Sequence, residues 1–391
     1  MKIVLFIIGL YLFLYTPVFT FIGVDSMYFL YPLLLLFFIP KYRKGINKYH
    51  NVLKTWVVLF IFVFARTLLG GESFFLISTI GILLESILLS YIIVKIAILN
   101  DINLERSLLI VSSIAAVISS LCLFIPDFNL FIKSILVNKN EYLEDNFFRG
   151  FGLADQLTYF YGLIQGFICA FGIIYLNKYR WFLFFIPFVI LSVLINVRTG
   201  FIPIAISVII NIVVGKQYNY IFYCLFAAFI ILYLWNNVLT EFMPQRTMTW
   251  INMFFEELTG LFTDGKKDSG TIDALSNMII LPETPQDWFL GKGYSIFRGV
   301  GRGNNSDIGY IIQLNYGGIV YCFLLFCLVA SIYKKCRKTM KFSFIVTMIF
   351  SALLMNYKGV FFGHNSAFAL TVLLIIYSIE MKRINIHKNI T

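Results

Sequence analysis

Three arginines occupy positions from which a guanidinium group could bind an anion. Arg149 and Arg198 each precede a glycine-containing turn beside an apolar run, and Arg246 opens a long polar segment. The planar fork of a guanidinium can hold a phosphate or diphosphate through two parallel hydrogen bonds. For Arg149 or Arg198 taken alone, an arginine that anchors to lipid phosphate at the membrane interface is the alternative. Three arginines on separate segments favour one shared anionic ligand.

Two other side chains have the chemistry to accept or orient a proton. His364 follows the next-to-last apolar run, and imidazole is a ready proton acceptor at neutral pH. Asp307 stands where an apolar run begins and could be a base or an acceptor for a hydroxyl group. The alternatives are a structural role for His364 and a helix-capping or first-turn role for Asp307, which the helix dipole favours. No metal-ligand motif accompanies these residues, so we expect a reaction that uses no metal and no other cofactor.

The polar segment from Leu239 to Asp307 is the only long stretch of sequence without a run able to cross a bilayer. Aromatic and aliphatic residues are interleaved with its charges, so it can bury apolar surface, unlike a disordered linker. Loops longer than ~15 residues are usually functional or disordered, and this composition favours a functional loop. The glycine-rich stretches 291–293 and 299–303 lack the P-loop pattern, which argues against a nucleotide site.

The composition places these groups in a membrane protein. Of the 391 residues, 60% are hydrophobic and 13% are charged, whereas a soluble globular domain carries about 25% charged residues. The apolar residues come in runs of roughly 15–25, the length needed to span a hydrocarbon core of about 30 Å. A transmembrane β-barrel would show short alternating segments instead. We therefore expect an all-α polytopic membrane protein that forms one integral membrane domain over residues 1–391.

About twelve transmembrane helices are predicted, with a large, partly helical extracytoplasmic loop (240–306) between the ninth and the tenth. Their approximate ranges are 3–23, 27–40, 55–71, 73–94, 107–126, 153–176, 181–197, 200–214, 220–239, 308–332, 342–357 and 366–380. Lys and Arg cluster in short loops between these runs, which by the positive-inside rule puts both termini in the cytoplasm. The net charge of +11 is explained by this distribution, so nucleic-acid binding is not expected. The same orientation places the three arginines, His364 and the large loop on the outer face.

Two charged residues lie inside predicted helices. Arg66 and Glu85 would each be close to the bilayer centre, where charged side chains usually pair with one another or with backbone carbonyls. We expect these two side chains to form a pair. Its role would be structural or would lie in proton coupling.

Three groups of residues together resemble a known family. They are Arg149-Gly150-Phe151-Gly152, Asn196-Val197-Arg198-Thr199-Gly200, and a long loop containing Arg246, Trp250, Phe289-Leu290-Gly291-Lys292-Gly293 and Asn304-Asn305-Ser306-Asp307. From about Arg149 onward, the chain resembles the polysaccharide repeat-unit polymerases of bacterial surface glycans. These are the O-antigen and capsule polymerases of the Wzy type, within the O-antigen polymerase/ligase superfamily. The likeness is one of placement, and Leu153-Ala154 stands where relatives carry Pro-Asn.

The resemblance implies a GT-C-like bundle in the bacterial cytoplasmic membrane that acts on an oligosaccharide linked to undecaprenyl diphosphate. A hydroxyl group of one lipid-linked repeat would attack the anomeric carbon of another and expel the lipid diphosphate. Arg149, Arg198 and Arg246 would neutralise the diphosphate, and Asp307 or His364 would orient or deprotonate the hydroxyl. The implied substrate-binding residues are Trp250 and Trp288 as sugar platforms, together with Gly291, Gly293, Arg298, Arg302 and Lys358. The expected partners are the lipid-linked oligosaccharide and the bilayer, and they could include a chain-length regulator.

Two other functions are compatible with the same residues. A flippase of lipid-linked oligosaccharide would need polar residues along a path to the cytoplasmic side. The inner halves of the predicted helices are apolar, however, and the charges crowd outside. A ligase of the same superfamily would transfer finished glycan to a different acceptor. A purified polymerase given only lipid-linked repeats would lengthen them, whereas a ligase would leave them unchanged.

Overall fold

A computed structural model of the chain describes residues 1–137, 152–154, 159–214, 245, 248–249, 251–253, 256, 276–296, 306–336 and 339–388. The structure is all-helical within these ranges, and they contain no β-strand. The α-helices are α1 (Lys2–Tyr15), α2 (Pro40–Arg43), α3 (His50–Leu68), α4 (Phe74–Gly81), α5 (Ser90–Leu99), α6 (Leu104–Phe124), α7 (Pro126–Ser134), α8 (Tyr159–Ile174), α9 (Ile186–Asn196), α10 (Phe201–Val213), α11 (Pro285–Leu290), α12 (Gly309–Cys336), α13 (Phe342–Lys358) and α14 (Ser366–Lys388). Four 3-10 helices cover Ser26–Phe38, Ile46–Tyr49, Arg180–Phe184 and Arg198–Gly200, and a π-helical segment covers Ile82–Leu89.

Four described stretches are long and apolar enough to cross a membrane. They are Ile46–Leu68, Phe74–Leu99, Leu104–Phe124 and Gly309–Cys336. The shortest has 21 residues. At about 1.5 Å of rise per residue it can span a hydrocarbon core of about 30 Å. These helices indicate a membrane protein, as the composition predicted.

The helical segments lie close to their predicted positions where the structure describes them, with two corrections near the N-terminus. The predicted helix 3–23 ends early, because Thr16 adopts a left-handed conformation (φ 41°) and its backbone N–H bonds to Leu12 O. The predicted helix 27–40 is a 3-10 helix containing Pro32, whose ring nitrogen has no hydrogen to donate. The predicted helix 220–239 lies outside the described residues, as does most of the loop 240–306.

The chain divides into two compact units, and the first comprises residues 1–31, 101–267 and 341–351. Within it, α8 packs against α9 and α10. The helices approach closely because glycines face each other: a Cβ on Gly166 would lie 2.2 Å from Gly200 O. Small residues at such interfaces bring helix backbones together inside membranes.

A layer of buried polar side chains crosses the core of the first unit. Ser112 Oγ donates to Gln165 Oε1 over 2.5 Å, and Asn196 Nδ2 donates to Ser119 Oγ over 2.9 Å. All four residues are buried. Hydrogen bonds of this kind satisfy polar groups that would be costly to leave unpaired in an apolar environment. They join α6 to α8 and α9.

The second unit comprises residues 32–100, 268–340 and 352–391. In it α12 packs along α3, and the short helix α11 packs against α12. The rings of Phe75 and Tyr316 stack with their centroids 3.7 Å apart. At Gly318 (φ 63°) α12 is kinked, and a Cβ there would lie 2.3 Å from Phe289 O. This glycine lets the segment around α11 lie directly on α12.

Candidate functional site

A histidine–glutamate pair is the most distinctive polar contact of the second unit. His364 Nε2 contacts Glu85 Oε2, and the side chain of Glu85 is 9% exposed while that of His364 is 34% exposed. Glu85 lies in the π-helical segment between α4 and α5, and π-helical turns are frequent at functional sites. The buried carboxylate holds one edge of the imidazole, and the ring remains partly accessible.

Amide side chains hold the loop that carries His364 between α13 and α14. Asn356 Oδ1 accepts hydrogen bonds from the backbone N–H groups of Phe361 (3.0 Å) and Phe362 (3.2 Å). Gln313 Nε2 donates to Phe362 O over 3.1 Å. Asn365 Oδ1 accepts from the third backbone N–H of α14 over 2.8 Å and so caps that helix. The position of His364 is therefore set by hydrogen bonds on both sides of it along the chain.

Gly81, the last residue of α4, provides the space for the imidazole ring. A Cβ at this position would lie 2.4 Å from His364 Cδ2 and 2.8 Å from His364 Nε2. The backbone N–H of His364 also donates to Ser78 Oγ over 3.2 Å. The histidine therefore packs against α4 at the point where the π-helical segment begins.

The predicted pair between Arg66 and Glu85 is wrong. α3 ends at Leu68, so Arg66 lies in the last turn, where its Nη2 donates to Gly291 O over 2.8 Å. A cation near a helix C-terminus is favoured by the helix dipole. Glu85 is the only charged residue of the apolar stretch 74–94, so the sequence signals that it needs a partner. It does not signal that the partner is His364.

The predicted substrate-binding glycines form a turn that is fixed to α12. Gly291 (φ 73°) and Gly293 (φ 82°) are both left-handed. The backbone N–H of Lys292 donates to Asn315 O over 2.6 Å, and that of Gly293 donates to Tyr316 O over 2.9 Å. A Cβ on Gly291 would lie 2.4 Å from Tyr316 O. Glycine is thus needed at position 291 for close packing of backbone on backbone.

Trp288 lies beside this turn on α11. Thr284 Oγ1 caps the helix by accepting from the backbone N–H of Asp287 over 3.1 Å. Trp288 is 36% exposed, so a face or an edge of the indole is accessible to a ligand. Glu283 Oε1 lies 3.2 Å from Lys292 Nζ, and this contact raises the pKa of Lys292. The glycine turn therefore carries a paired lysine, Lys292, and has the accessible ring of Trp288 beside it.

Asp307 lies outside α12, which begins at Gly309 and has no acidic residue in its first turn. The first-turn alternative for Asp307 is therefore wrong, and Ile308 is the residue that immediately precedes the helix. Ser306 Oγ instead accepts from the backbone N–H of Ile308 over 3.2 Å. Lys358 is the last residue of α13, and both it and Asp307 are partly buried.

Arg198 belongs to the first unit, where it begins the 3-10 turn between α9 and α10. Asn196, two residues earlier, donates through Nδ2 to Ser192 O over 2.8 Å. Gly200 closes the turn against α8, and a Cβ on it would lie 2.2 Å from Gly162 O. The partly buried Arg198 is thus carried by a turn that is fixed to its neighbours.

The remaining predicted site residues lie outside the described residues. They are Arg149, Arg246, Trp250, Arg298 and Arg302. The convergence of Arg149, Arg198 and Arg246 on one ligand stays a prediction. In the described ranges, no group of three or more His, Cys, Asp or Glu side chains is placed to hold a metal ion. No family model, curated protein or solved structure matches the chain.

Proposed function

We propose that the chain is a glycosyltransferase that polymerises undecaprenyl-diphosphate-linked oligosaccharide repeat units on the outer face of a bacterial cytoplasmic membrane. The proposal includes about twelve transmembrane helices, both termini in the cytoplasm, and the segment 240–306 outside. It rests on the resemblance in sequence together with the chemistry of the residues described above.

The observation that carries the proposal is the pairing of His364 with Glu85. An ionised carboxylate at Nε2 favours the tautomer that has its proton on Nε2 and a lone pair on Nδ1. That nitrogen can take the proton of a sugar hydroxyl as the hydroxyl oxygen bonds to the anomeric carbon of a second repeat. The bond from that carbon to the diphosphate oxygen breaks, and its electron pair leaves with the diphosphate. Glu85 stabilises the imidazolium, so His364 is preferred over Asp307 as the base.

The position of Arg198 supports the proposed handling of the leaving group. It lies on a turn between two apolar helices, α9 and α10, and a lipid-linked substrate carries its diphosphate next to its lipid. Negative charge grows on the diphosphate as the glycosidic bond breaks, and a guanidinium held nearby stabilises that charge in the transition state. Arg149 and Arg246 are assigned the same role.

A reconstitution assay tests the function. The substrate is the single lipid-linked repeat that accumulates in source cells after deletion of the gene, and no other acceptor is added. We expect the purified wild-type chain to produce a ladder of longer glycans. His364→Ala and Arg198→Ala should each lower the elongation rate at least about 100-fold, since base catalysis and charge stabilisation each contribute on this scale.

The matched controls are His50→Ala and Arg180→Ala, which remove the same side-chain types at exposed positions and should elongate normally. Wild-type protein that moves the repeats across vesicles without lengthening them would identify a flippase. Protein that transfers the glycan only after a different acceptor is added would identify a ligase. Full-length ladders from His364→Ala would overturn the assignment of the base.

A further inference from the structure

A second concentration of charge lies in the second unit, about four turns along α14 from the loop that carries His364. Glu380 Oε2 accepts from Lys95 Nζ over 2.6 Å, and Glu380 Oε1 lies 4.0 Å from Lys48 Nζ. Glu380 is 2% exposed and Lys95 is 8% exposed. Glu380 is the only acidic residue of this cluster in the described part of the chain, and its other charged members are cations.

More positive charge gathers here than one carboxylate can neutralise. Arg383, Lys95 and Lys335 all lie close enough to Lys48 to repel its charge. Lys335 Nζ also donates to Lys48 O over 2.5 Å, which holds the two segments together. Four cations therefore gather around one carboxylate, Glu380, and Lys335 belongs to this group through its contact with Lys48. Like charges held this close repel one another, and a bound anion would relieve that repulsion.

A cavity of about 650 Å³ that is open to the surface adjoins the cluster. Its lining residues are Pro40, Arg43, Lys44, Gly45, Ile46 and Asn47. Gly45 joins the cavity to the cluster: it is left-handed (φ 105°), and a Cβ on it would lie 3.0 Å from Arg383 Nη1. Tyr91 OH donates to Lys44 O over 2.8 Å and fixes the turn. Arg43 and Lys44 are exposed and add two further positive side chains.

The cluster lies where membrane helices end. Lys48 is near the start of the stretch Ile46–Leu68, Lys335 is near the end of Gly309–Cys336, and Lys95 is near the end of Phe74–Leu99. The ends of membrane-spanning helices lie at the level of the lipid headgroups. The anion that reaches this position most directly is therefore a lipid phosphate.

We propose that this cluster binds the phosphate headgroup of an anionic phospholipid. The phosphate would occupy the cavity beside Gly45 and contact Lys48, Arg383 and the side chains of Arg43 and Lys44. Lys95 would remain paired with Glu380 beneath it. Basic pockets between membrane helices are suited to such headgroups, because the lipid supplies negative charge and is anchored by its own acyl chains.

Native mass spectrometry of the detergent-purified full chain tests the proposal, with phosphatidylglycerol and zwitterionic phosphatidylcholine titrated separately. The wild-type chain should bind phosphatidylglycerol at least about tenfold more tightly than phosphatidylcholine. The double substitution Lys48→Gln/Arg383→Gln should weaken phosphatidylglycerol binding about 25-fold, since each basic side chain near a membrane surface contributes about fivefold. Lys48→Gln alone should weaken it about fivefold.

The charge-matched control is Lys54→Gln/Arg106→Gln, which removes the same two charges at exposed positions and should change the affinity less than about twofold. The charge-conserving pair Lys48→Arg/Arg383→Lys should keep the wild-type affinity. Loss of binding in the control to the same extent as in the Gln pair would overturn the proposal. Full displacement of the lipid by inorganic phosphate would overturn the assignment to a lipid.

Discussion

The packing of His364 against Gly81 gives the sharpest test of the candidate site. Gly81→Ala adds one methyl group, and the new Cβ would lie 2.4 Å from His364 Cδ2 and 2.8 Å from Nε2. Carbon atoms in contact lie about 3.5–4.0 Å apart, so the ring must move by about 1 Å or more. The loop on which it stands is pinned by Asn356 and Asn365, so the imidazole cannot retreat without giving up its contact with Glu85.

Two consequences follow from this displacement. Forcing a methyl group into a filled contact costs about 1–3 kcal/mol of unfolding free energy. A misplacement of about 1 Å in a catalytic group can lower the rate about 100-fold. Gly81→Ala should therefore lower both the thermal unfolding midpoint in detergent and the elongation rate with lipid-linked repeats.

Gly9→Ala is the matched control. Gly9 is also a helical glycine, but the nearest atom to a Cβ there is Leu30 Cδ2 at 3.9 Å, an ordinary contact. Replacing a helical glycine by alanine where there is room stabilises by about 0.5–1 kcal/mol. A Gly81→Ala protein that unfolds and elongates like the Gly9→Ala protein would refute the packing of His364 on α4 and with it the support for this base.

Three other predictions address stability, each read from thermal or denaturant unfolding of the purified chain. Lys95→Met should cost up to about 3–5 kcal/mol because it removes the closest partner of the buried Glu380 carboxylate, which lies 2.6 Å from Lys95 Nζ, whereas Lys95→Met/Glu380→Leu should recover most of that loss. Gly291→Ala should cost at least about 1–3 kcal/mol, since position 291 combines a positive φ with backbone contact to Tyr316. Burial lowers the pKa of Lys133 from 10.5 to about 8, so between these pH values the unfolded chain holds a proton that the folded chain has released. Stability should therefore rise with pH across this window by on the order of 1–3 kcal/mol, and Lys133→Met should abolish the rise.

Hydropathy located the helices because it is a local property of the chain. Whether a run such as 104–124 can span a bilayer depends only on its own length and apolarity, and its observed bounds lie within a few residues of the prediction. Hydropathy did not predict the helix type and helix end near the N-terminus, because both depend on local backbone conformation. Thr16 ends α1, and Pro32 lies within a 3-10 helix, although the sequence stays apolar on both sides of each residue.

The candidate site was predicted only as separate residues. The sequence singled out His364 as a proton acceptor, Glu85 as a charge in need of a partner, and Gly291 as a substrate-binding residue. It did not indicate that the histidine and the glutamate meet. Nor did it indicate that the glycine serves backbone packing and accepts a hydrogen bond from Arg66.

The sequence by itself therefore determined that the chain is helical and apolar enough to reside in a membrane, and which few charges its helices carry. Only the tertiary structure decided the partners of those charges. Depth along a helix can be counted from the sequence, but a contact also depends on how each helix is rotated and how closely its neighbours approach. At Gly81 and Gly291 a neighbouring segment can approach closely because glycine has no side chain. The sequence shows the glycine, but it does not show which segment packs against it.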